Sequence, residues 1–548
     1  MKERLFFLIC FLCISFMLKA ADKPVIKIST ENVDLIYWVG NNGRLYQSYL
    51  GKKLNYATDI AHLPQGSEAY LTHGMEDYFE PAIHIVHNDG NPSTLLKYVS
   101  HTRNQVSPGV DEVVITMQDD KYPVTVKLHY VAYQKENLIK TFTEISHQEK
   151  KPVQLHKYAS SMLHLNRANY FLTEFSGDWA SEAHVKEQPL EFGKKTIDTK
   201  LGARANMFCS PFFQLSLDGK SEENQGEVLV GTLGWTGNFS FVFEVDNKNE
   251  LRVISGINPY ASEYSLKPNE IFRTPDFYFT YSFTGKGQAS RNFHDWARKY
   301  QVKDGNQTRM TLLNNWEATY FDFDEEKILK LARTAKDVGV ELFVLDDGWF
   351  GRRDDSRSSL GDWYPYRKKL PEGVAGIARR IEEMGLAFGL WIEPEMVNKD
   401  SDLYRAHPDW MLSAPGRSAC HGRNQFVLDF SREEVVEYIY QMLRYVLDEA
   451  PVSYIKWDMN RCMSEVYSRA GRPEEQGMVF HRYILGVYSL YEKLIRRYPI
   501  YCWNHASSGG ARFDPGMLYY APQCWTSDDT DAVERLKIQY GTSMVYPL

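Results

Sequence analysis

The side chains best suited to chemistry stand together in one short stretch, residues 454–461, with the sequence YIKWDMNR. If this stretch is a strand, alternate residues share a face, so Lys456 and Asp458 point the same way. A nearby ammonium group lowers the pKa of a carboxyl group and opposes the rise that burial causes. Asp458 is therefore expected to be ionised, as a nucleophilic aspartate must be, although a structural ion pair at a strand end fits the same residues.

Similar polar endings follow other short apolar runs in this half of the chain. The predicted strands are 311–315, 341–345, 387–392, 426–428, 453–457, 500–503 and 523–526. The residues at their ends include Trp316 and the polar residues Asp346, Asp347, Glu393, Glu395, Asp429, Asp458, Asn460, Asn504, His505, Asp528 and Asp529. Predicted amphipathic helices at 325–337, 432–449 and 477–497 separate the strands. Strands that alternate with helices and carry polar residues at their carboxyl ends are typical of a (β/α)8 barrel enzyme.

The first half of the chain has a different pattern. From about residue 25 to residue 281, short alternating runs are separated by Gly, Asn, Asp and Pro, which predicts an all-β region and most simply a large sandwich. We therefore expect a signal peptide at 1–21, an N-terminal β-sandwich domain at 22–285, a linker helix at 286–304 and a catalytic barrel at 305–548.

Composition and the N-terminus limit the partners of the protein. A formal net charge of -8 over 548 residues provides no basic surface, so we expect no nucleic-acid partner. Lys2 and Arg4 precede an apolar stretch at 5–18 and small residues at 20–21, which predicts an exported protein, periplasmic or secreted. This stretch is short for a membrane span, so no membrane association is expected after its removal.

Several classes of chemistry lack their motifs. HxH and HExxH spacings are absent, and the five cysteines beyond residue 21 show no CxxC spacing, so we expect neither a metal site, a cofactor nor a disulfide framework. A GxSxG elbow and a phosphate-binding loop with its Lys-Ser/Thr are also absent. Glycosidic chemistry remains, and it needs one ionised and one protonated carboxyl group across a sugar ring. An aspartate with a neighbouring lysine suits the ionised role.

Six motifs, in chain order, resemble those of the glycoside hydrolase family 36 α-galactosidases. They are DDGWFG at 346–351, GDW at 361–363, WIEPEM at 391–396, GRNQ at 422–425, KWDMNR at 456–461 and WTSDDTD at 525–531. The resemblance is dense from about residue 316 to residue 541 and agrees with the β-rich first half.

The resemblance implies an exo-acting, retaining α-galactosidase that hydrolyses terminal α-D-galactosyl residues of melibiose- or raffinose-type oligosaccharides through a covalent β-galactosyl-aspartate. Asp458 matches the nucleophile and Asp528 the general acid/base, with Asp529 as a rival for the second role. Asp346 and Asp347 match the pair that binds galactose hydroxyls. Pocket-lining positions are matched by Trp316, Trp391, Arg423, Lys456, Asn460 and Ser508.

The chain departs from the family pattern in two places. Ala506 stands where the family usually has a cysteine, so the sugar preference is expected to shift, and the residues also fit an α-N-acetylgalactosaminidase. The chain ends at Leu548, before an eighth strand and a C-terminal β domain, which predicts an incomplete barrel of about seven strands. A galactosyl-transferring relative fits the same motifs, and so does a truncated, non-catalytic galactoside-binding protein. The family also implies a homo-oligomer, with Asp77 as a contributor to a neighbour's site.

Overall fold

The computed structural model of the protein describes residues 24–74, 78–499 and 501–547. The predicted signal peptide at 1–21 and the predicted role of Asp77 fall outside these residues. None of the helices in the described part combines the length and apolar character that crossing a bilayer requires.

Strands rich in Val, Ile, Phe and Tyr dominate the N-terminal part; some bury every second side chain, and others are buried along most of their length. They are β1 (Val25–Ser29), β2 (Val33–Val39), β3 (Leu45–Lys52), β4 (Ser67–Glu68), β5 (Ile83–Val86), β6 (Leu96–Ser107), β7 (Val110–Asp119), β8 (Val124–Tyr133), β9 (Leu138–His147), β10 (Val153–Asn166), β11 (Tyr170–Ser176), β12 (His184–Leu190), β13 (Gly193–Asp198), β14 (Cys209–Leu217), β15 (Glu227–Gly234), β16 (Phe239–Val245), β17 (Glu250–Ile257), β18 (Tyr264–Leu266), β19 (Ile271–Arg273) and β20 (Asp276–Ser282).

These strands form three antiparallel sheets. One has the order β1-β2-β3-β4, a second has β13-β16-β17-β10-β18 with β5 also paired to β10, and the third has β12-β11-β14-β15-β20-β9-β8-β7-β6 with β19 paired to β9. The second and third sheets pack face to face, since the ring centroids of Phe213 in β14 and Phe241 in β16 are 5.2 Å apart. The two inner faces share one apolar core.

The C-terminal part contains a six-stranded parallel sheet whose strand order follows the chain. Its strands are β21 (Leu312–Asn314), β22 (Leu342–Leu345), β23 (Ala387–Ile392), β26 (Tyr454–Trp457), β27 (Cys502–His505) and β28 (Gln523–Cys524), while β24 (Met396–Val397) and β25 (Phe426–Val427) form a separate pair. Because parallel neighbours end at the same edge, the segments that follow these six strands gather on one side of the sheet.

The prediction of seven parallel strands is wrong by one strand. Phe426 and Val427 pair antiparallel with Val397 and Met396, outside the parallel sheet. Strand β23 instead pairs directly with β26, with Trp391 opposite Lys456. Asp458 therefore follows the fourth strand of the sheet, and Asp528 follows the sixth.

Helices lie between the strands of the parallel sheet. The structure confirms the predicted helices at 325–337, 432–449 and 477–497 to within two residues at each end. The helices of the described residues are α1 (Ala57–Ala61), α2 (Lys286–Trp296), α3 (Trp316–Thr319), α4 (Glu325–Asp337), α5 (Gly373–Glu383), α6 (Asp402–Ala406), α7 (Glu433–Leu447), α8 (Val479–Arg497), α9 (Pro515–Tyr520) and α10 (Ala532–Ser543), with a π-helical segment at Ala297–Gln301 and 3-10 helices at Pro408–Trp410 and Pro473–Met478.

The two parts of the chain share a buried contact. Tyr546, after α10, packs on Phe212 of the N-terminal sheet with ring centroids 5.5 Å apart, and its hydroxyl lies 2.8 Å from Oγ1 of Thr232. Val545 and Met544 are buried in the same cluster. This contact joins the N-terminal sheets to the C-terminal part, together with hydrogen bonds such as the one from Asn206 to the carbonyl of Phe513.

Candidate active site

Asp458 lies directly after β26, and hydrogen-bond donors surround its carboxylate. Oδ2 accepts from the side-chain amide of Asn460 at 2.7 Å and from the indole of Trp391 at 3.3 Å. Oδ1 accepts from the backbone amides of Met459 at 2.9 Å and Ser508 at 3.2 Å. Donors to a carboxylate favour its ionised form, so this arrangement suits an anion that is only 8% exposed.

The pKa of Asp458 lies below its ordinary value. Burial alone would raise this pKa, but the Lys456 ammonium and the hydrogen bond from Asn460 outweigh the effect of burial. Lys456 lowers this pKa through its charge rather than through a hydrogen bond to Asp458. Its Nζ donates to Oδ2 of Asp346 at 3.0 Å. The positive charge of Lys456 therefore lowers the pKa of Asp458, as expected from the sequence. The direct ion pair of Lys456, however, is with Asp346, which follows the second strand of the sheet.

Asp346 and Asp347 follow β22 and have different partners. Oδ2 of Asp346 accepts from the side-chain amide of Asn314 at 2.6 Å, in addition to Lys456. Both oxygens of Asp347 are held by Arg353, with Nε to Oδ1 at 2.6 Å and Nη2 to Oδ2 at 2.8 Å. This two-point ion pair is buried and fixes the orientation of Asp347. Each carboxylate oxygen can accept more than one hydrogen bond, so both side chains can still receive hydroxyl groups.

Aromatic rings border this group of carboxylates. The Trp391 ring is buried and lies parallel to that of Phe350, with centroids 6.2 Å apart. Trp316 is half-buried at the start of α3, and the Arg423 guanidinium lies 5.6 Å from the centroid of its ring. Trp525 faces Lys456 in the same way, at 5.0 Å. The structure therefore brings the predicted aromatic and cationic residues to the same edge of the sheet.

Asp528 and Asp529 follow the sixth strand and have different surroundings. The pKa of Asp528 lies above its ordinary value, because burial and the negative charge of Asp458 both disfavour ionisation. Oδ1 of Asp529 accepts from the backbone amide of Asp531 at 2.7 Å, in the turn that precedes α10. The carboxylate of Asp346 raises the pKa of Asp528 further. Asp528 is thus the partner of Asp458, and the two pKa values are shifted in opposite directions.

A close turn after β27 completes this side of the site. Ser508 and Gly509 have φ angles of 43° and 90°, which lie in the left-handed region. A Cβ atom on Gly509 would lie 2.7 Å from the backbone nitrogen of Asp528 and 2.6 Å from Oε1 of Glu182. Only glycine fits this close approach. The turn thereby places the Ser508 amide on Asp458, and the Ser508 hydroxyl donates to Oδ1 of Asn460.

Two residues of the N-terminal domain reach this site, and the sequence analysis missed both. The Trp179 indole donates to Oδ2 of Asp528 at 3.0 Å across 349 positions of the chain. Glu182 is buried, and its Oε1 accepts from the backbone amide of Gly510 at 3.4 Å. The pKa of Glu182 is raised, mainly by burial and further by the charge of Asp528. No motif spacing links two domains, so only the fold reveals these contacts.

Glu393 is a third missed residue, although it belongs to a motif that the sequence analysis singled out. It is buried beside Asp458, and Oε1 accepts from the backbone amide of Asn460 at 2.6 Å while Oε2 bonds to the side-chain amide of Gln425. Burial, and then the charge of Asp458, raise its pKa to about 8. Glu395, two residues later, differs because Arg512 neutralises it with two hydrogen bonds of 2.8 Å. Glu393 is therefore a neutral acid at pH 7.

Glu393→Gln is expected to change how the stability of the protein depends on pH. The unfolded chain loses the Glu393 proton near pH 4.5 and the folded protein near pH 8, so wild-type stability falls as the pH rises between these values. Glutamine cannot ionise, so the variant avoids this loss. The unfolding free energy of the variant minus that of the wild type should therefore increase by about 3 kcal/mol between pH 5 and pH 7.5.

Urea denaturation at these two pH values measures the effect. Glu383→Gln, at an exposed position at the end of α5, is the matched control and should show no such change. A difference between Glu393→Gln and the wild type that stays constant with pH would contradict a neutral Glu393.

The described part of the chain contains no group of three His, Cys, Asp or Glu side chains arranged to hold a metal ion. The chemistry available at this edge of the sheet is that of carboxyl groups: an anion at Asp458, an acid at Asp528 and hydrogen-bonding groups around them. This combination can attack an electrophilic carbon and protonate a leaving oxygen.

Comparisons with known proteins agree with this geometry. Residues 43–267 match the model of the glycosyl hydrolase family 36 N-terminal domain, and residues 271–548 match the melibiase model. The chain is 42% identical over 497 residues to α-galactosidase AgaA of Geobacillus stearothermophilus, covering 88% of this chain and 68% of AgaA. It is 39% identical over 494 residues to α-galactosidase Mel36A of Lactobacillus acidophilus, covering 87% of this chain and 67% of the relative.

Solved structures show the same similarity. The crystal structure of the family 36 α-galactosidase AgaA superposes with a TM-score of 0.93 at 38% identity, over 96% of this chain and 78% of that one. A variant of AgaA in complex with raffinose superposes equally well, with a TM-score of 0.93. One family model matches most of the N-terminal sheets and the other matches the part that contains the parallel sheet. The relatives and the solved structures match both parts. The chain therefore belongs to glycosyl hydrolase family 36.

Proposed function

We propose that this protein is a retaining α-galactosidase that removes terminal α-D-galactosyl residues from oligosaccharides. The observation that carries the proposal is the pairing of Asp458, whose pKa is lowered, with Asp528, whose pKa is raised. The similarity to AgaA and Mel36A, both named α-galactosidases, supports the substrate class, as do the structures of AgaA variants with raffinose and with stachyose.

In the first step, an oxygen of Asp458 attacks the anomeric carbon of the galactosyl residue. The bond between that carbon and the leaving oxygen breaks, and the proton of Asp528 moves to the leaving oxygen. The products are the freed alcohol and a β-galactosyl ester of Asp458. Asp458 can act because its charge is stabilised by Asn460, and Asp528 can act because its raised pKa keeps its proton available.

In the second step, a water molecule attacks the same carbon from the side that the alcohol left. Asp528 now takes a proton from this water, the ester bond to Asp458 breaks, and galactose is released with its α configuration. Both carboxyl groups return to their starting states. Lys456, which sits between the carboxylates of Asp346 and Asp458, keeps Asp458 a competent leaving group by stabilising its anion.

Recognition of galactose belongs to the side chains that surround Asp458. Asp346 and Asp347 present carboxylate oxygens to sugar hydroxyls, and their orientation is set by Lys456 and Arg353. Trp391 and Trp316 supply flat apolar surfaces for the faces of the ring. Ala506 is small and buried next to this pocket. An α-N-acetylgalactosaminide is therefore the substrate that competes with α-galactosides in this proposal.

Three further proposals concern the whole protein. The parallel sheet, whose strands follow chain order with helices between them, is part of a (β/α)8 barrel. The protein is exported by its N-terminal segment and works as a homo-oligomer. The sequence pattern at residues 1–21 supports export, and the family resemblance of the N-terminal domain supports the oligomer.

Proton NMR of the reaction in progress tests the stereochemistry. The purified protein is mixed with 4-nitrophenyl α-galactoside, and α-galactose is expected before mutarotation produces the β anomer. Initial appearance of β-galactose would contradict the retaining mechanism.

The alternative functions need other substrates. The same assay with the α-N-acetylgalactosaminide tests for an α-N-acetylgalactosaminidase, and an acceptor alcohol tests for galactosyl transfer. Galactose binding by calorimetry without turnover of either glycoside would indicate a non-catalytic binding protein.

A further inference from the structure

The loop at residues 177–183 joins β11 to β12 and brings the N-terminal domain to the acid side of the site. Backbone contacts shape this loop: the amide of Ser181 bonds to the carbonyl of Asp178 at 3.1 Å within it, and the amide of Gly177 bonds to the carbonyl of Phe208 outside it at 2.9 Å. Ala180 and Ala183 have φ angles of 61° and 56°. A Cβ atom on Gly541 of α10 would lie 1.8 Å from the Ala183 carbonyl oxygen. The loop is therefore seated directly on the C-terminal helix.

The tip of this loop contacts the acid through Trp179. Its indole N–H donates to Oδ2 of Asp528 at 3.0 Å. An indole N–H can only donate, so Oδ2 must act as an acceptor in this contact. The carbonyl oxygen of a protonated carboxyl group is a better acceptor than its hydroxyl oxygen, so this contact favours the proton of Asp528 on Oδ1. The Trp179 side chain is 57% exposed, which leaves an indole face open to solvent beside the carboxyl group that protonates the leaving group.

We propose that Trp179 forms the leaving-group side of the site, where it directs the proton of Asp528 to Oδ1 and stacks against the sugar that departs. This inference rests on the proposed α-galactosidase function and names the residue that discriminates between leaving groups. The ring of an exposed tryptophan provides a flat apolar face for the C–H side of a sugar. Trp179 is a positioning residue for Asp528 and a binding residue for the departing sugar.

Two substitutions separate these roles. Trp179→Phe keeps an aromatic face and removes the N–H donor, while Trp179→Ala removes both. Each variant is assayed on raffinose, whose leaving group is a sugar hydroxyl, and on α-galactosyl fluoride, whose leaving group offers no sugar face and depends less on protonation. Trp38→Phe is the matched control, because this half-buried indole of β2 has an N–H without a hydrogen-bond partner.

For Trp179→Phe, we expect kcat/KM on raffinose to fall roughly tenfold more than on the fluoride, the size of one hydrogen bond to a carboxylate. For Trp179→Ala, the KM for raffinose should also rise a few-fold, as expected for the loss of stacking. Equal losses on both substrates, or no loss in Trp179→Ala, would overturn the inference. Absence of wild-type turnover on both substrates would overturn the proposed function and this inference with it.

A second readout is independent of binding. Asp458 and Asp346 raise the pKa of Asp528, while Lys456 and the Trp179 N–H lower it. Glu182 of the same loop also faces Asp528. Removal of the donor in Trp179→Phe should therefore move the alkaline limb of kcat/KM on raffinose to higher pH. A purely structural role of Trp179 would leave the position of this limb unchanged, and that result would count against the inference.

Discussion

Asp458→Ala is expected to lower kcat for galactoside hydrolysis by roughly 10⁴-fold or more, the scale seen when a covalent nucleophile is removed. The variant should remain folded, because the partner of Lys456 is Asp346 and this ion pair persists without Asp458. Loss of the Asp458 charge also removes one of the causes of the raised pKa of Glu393. The kinetic loss should therefore appear without a comparable loss of stability, which circular dichroism and thermal melting can check.

Azide provides a positive test of the same assignment. A small anion that enters the space of the missing carboxylate can attack the anomeric carbon of 4-nitrophenyl α-galactoside, which forms a bond from nitrogen to carbon and releases nitrophenolate. The expected product is β-galactosyl azide. Asp400→Ala, an exposed aspartate whose carboxylate pairs with Arg405 at the surface, is the matched control and should retain turnover. Normal activity of Asp458→Ala, or an α-azide product, would remove Asp458 from the nucleophile position.

The carboxyl groups of the site could be predicted from the sequence because strand order and chain order coincide. Short apolar runs followed by Asp346, Asp458 and Asp528 were enough to place these side chains at one edge of a parallel sheet. The same rule predicted a strand of the parallel sheet at 426–428, and that prediction is wrong. A run of three apolar residues does not specify its neighbour, and here the neighbour is an antiparallel pair with Met396 and Val397.

Contacts between strands were not predictable in the same way. Lys456 and Asp458 share a strand face, but the ion pair of Lys456 depends on β22, which is separated from β26 by β23. Likewise, Glu393 and Glu395 are equivalent in sequence, but Arg512 pairs with Glu395 alone, while burial and the charge of Asp458 raise the pKa of Glu393. A partner that lies far along the chain leaves no periodic signal near the residue that it modifies.

Trp179 shows the same limit between domains. In the sequence it is one aromatic residue in a polar turn, and nothing near it indicates a role at Asp528. Its position follows from the seating of Ala183 on Gly541 and from the packing of Tyr546 against the N-terminal sheets. The acid of the site is therefore assembled from both domains, whereas the surroundings of Asp458 come from the parallel-sheet part alone.

Asp528→Asn is expected to separate the two steps of the reaction. On raffinose, the loss of the acid should lower kcat/KM by roughly 10³-fold, within the usual contribution of general acid catalysis. On 4-nitrophenyl α-galactoside the first step should be much less affected, because nitrophenolate leaves without a proton. The second step still lacks its base, so the galactosyl ester on Asp458 should accumulate as a burst of nitrophenolate. Stopped-flow absorbance measures this burst, and azide should relieve it with formation of α-galactosyl azide.

The pH dependence of kcat/KM on raffinose tests the same pair of residues from the wild-type side. Asp458 must be ionised, and its pKa is lowered, so activity is expected to fall only when the pH drops through that low value. Asp528 must be protonated, and its pKa is raised, so activity falls as the pH rises through that higher value. Asp528→Asn should remove the alkaline limb, because asparagine cannot ionise. Asp529→Asn, one position along, should keep it, since Asp529 serves the turn before α10. An alkaline limb that disappears in Asp529→Asn and survives in Asp528→Asn would reverse the assignment.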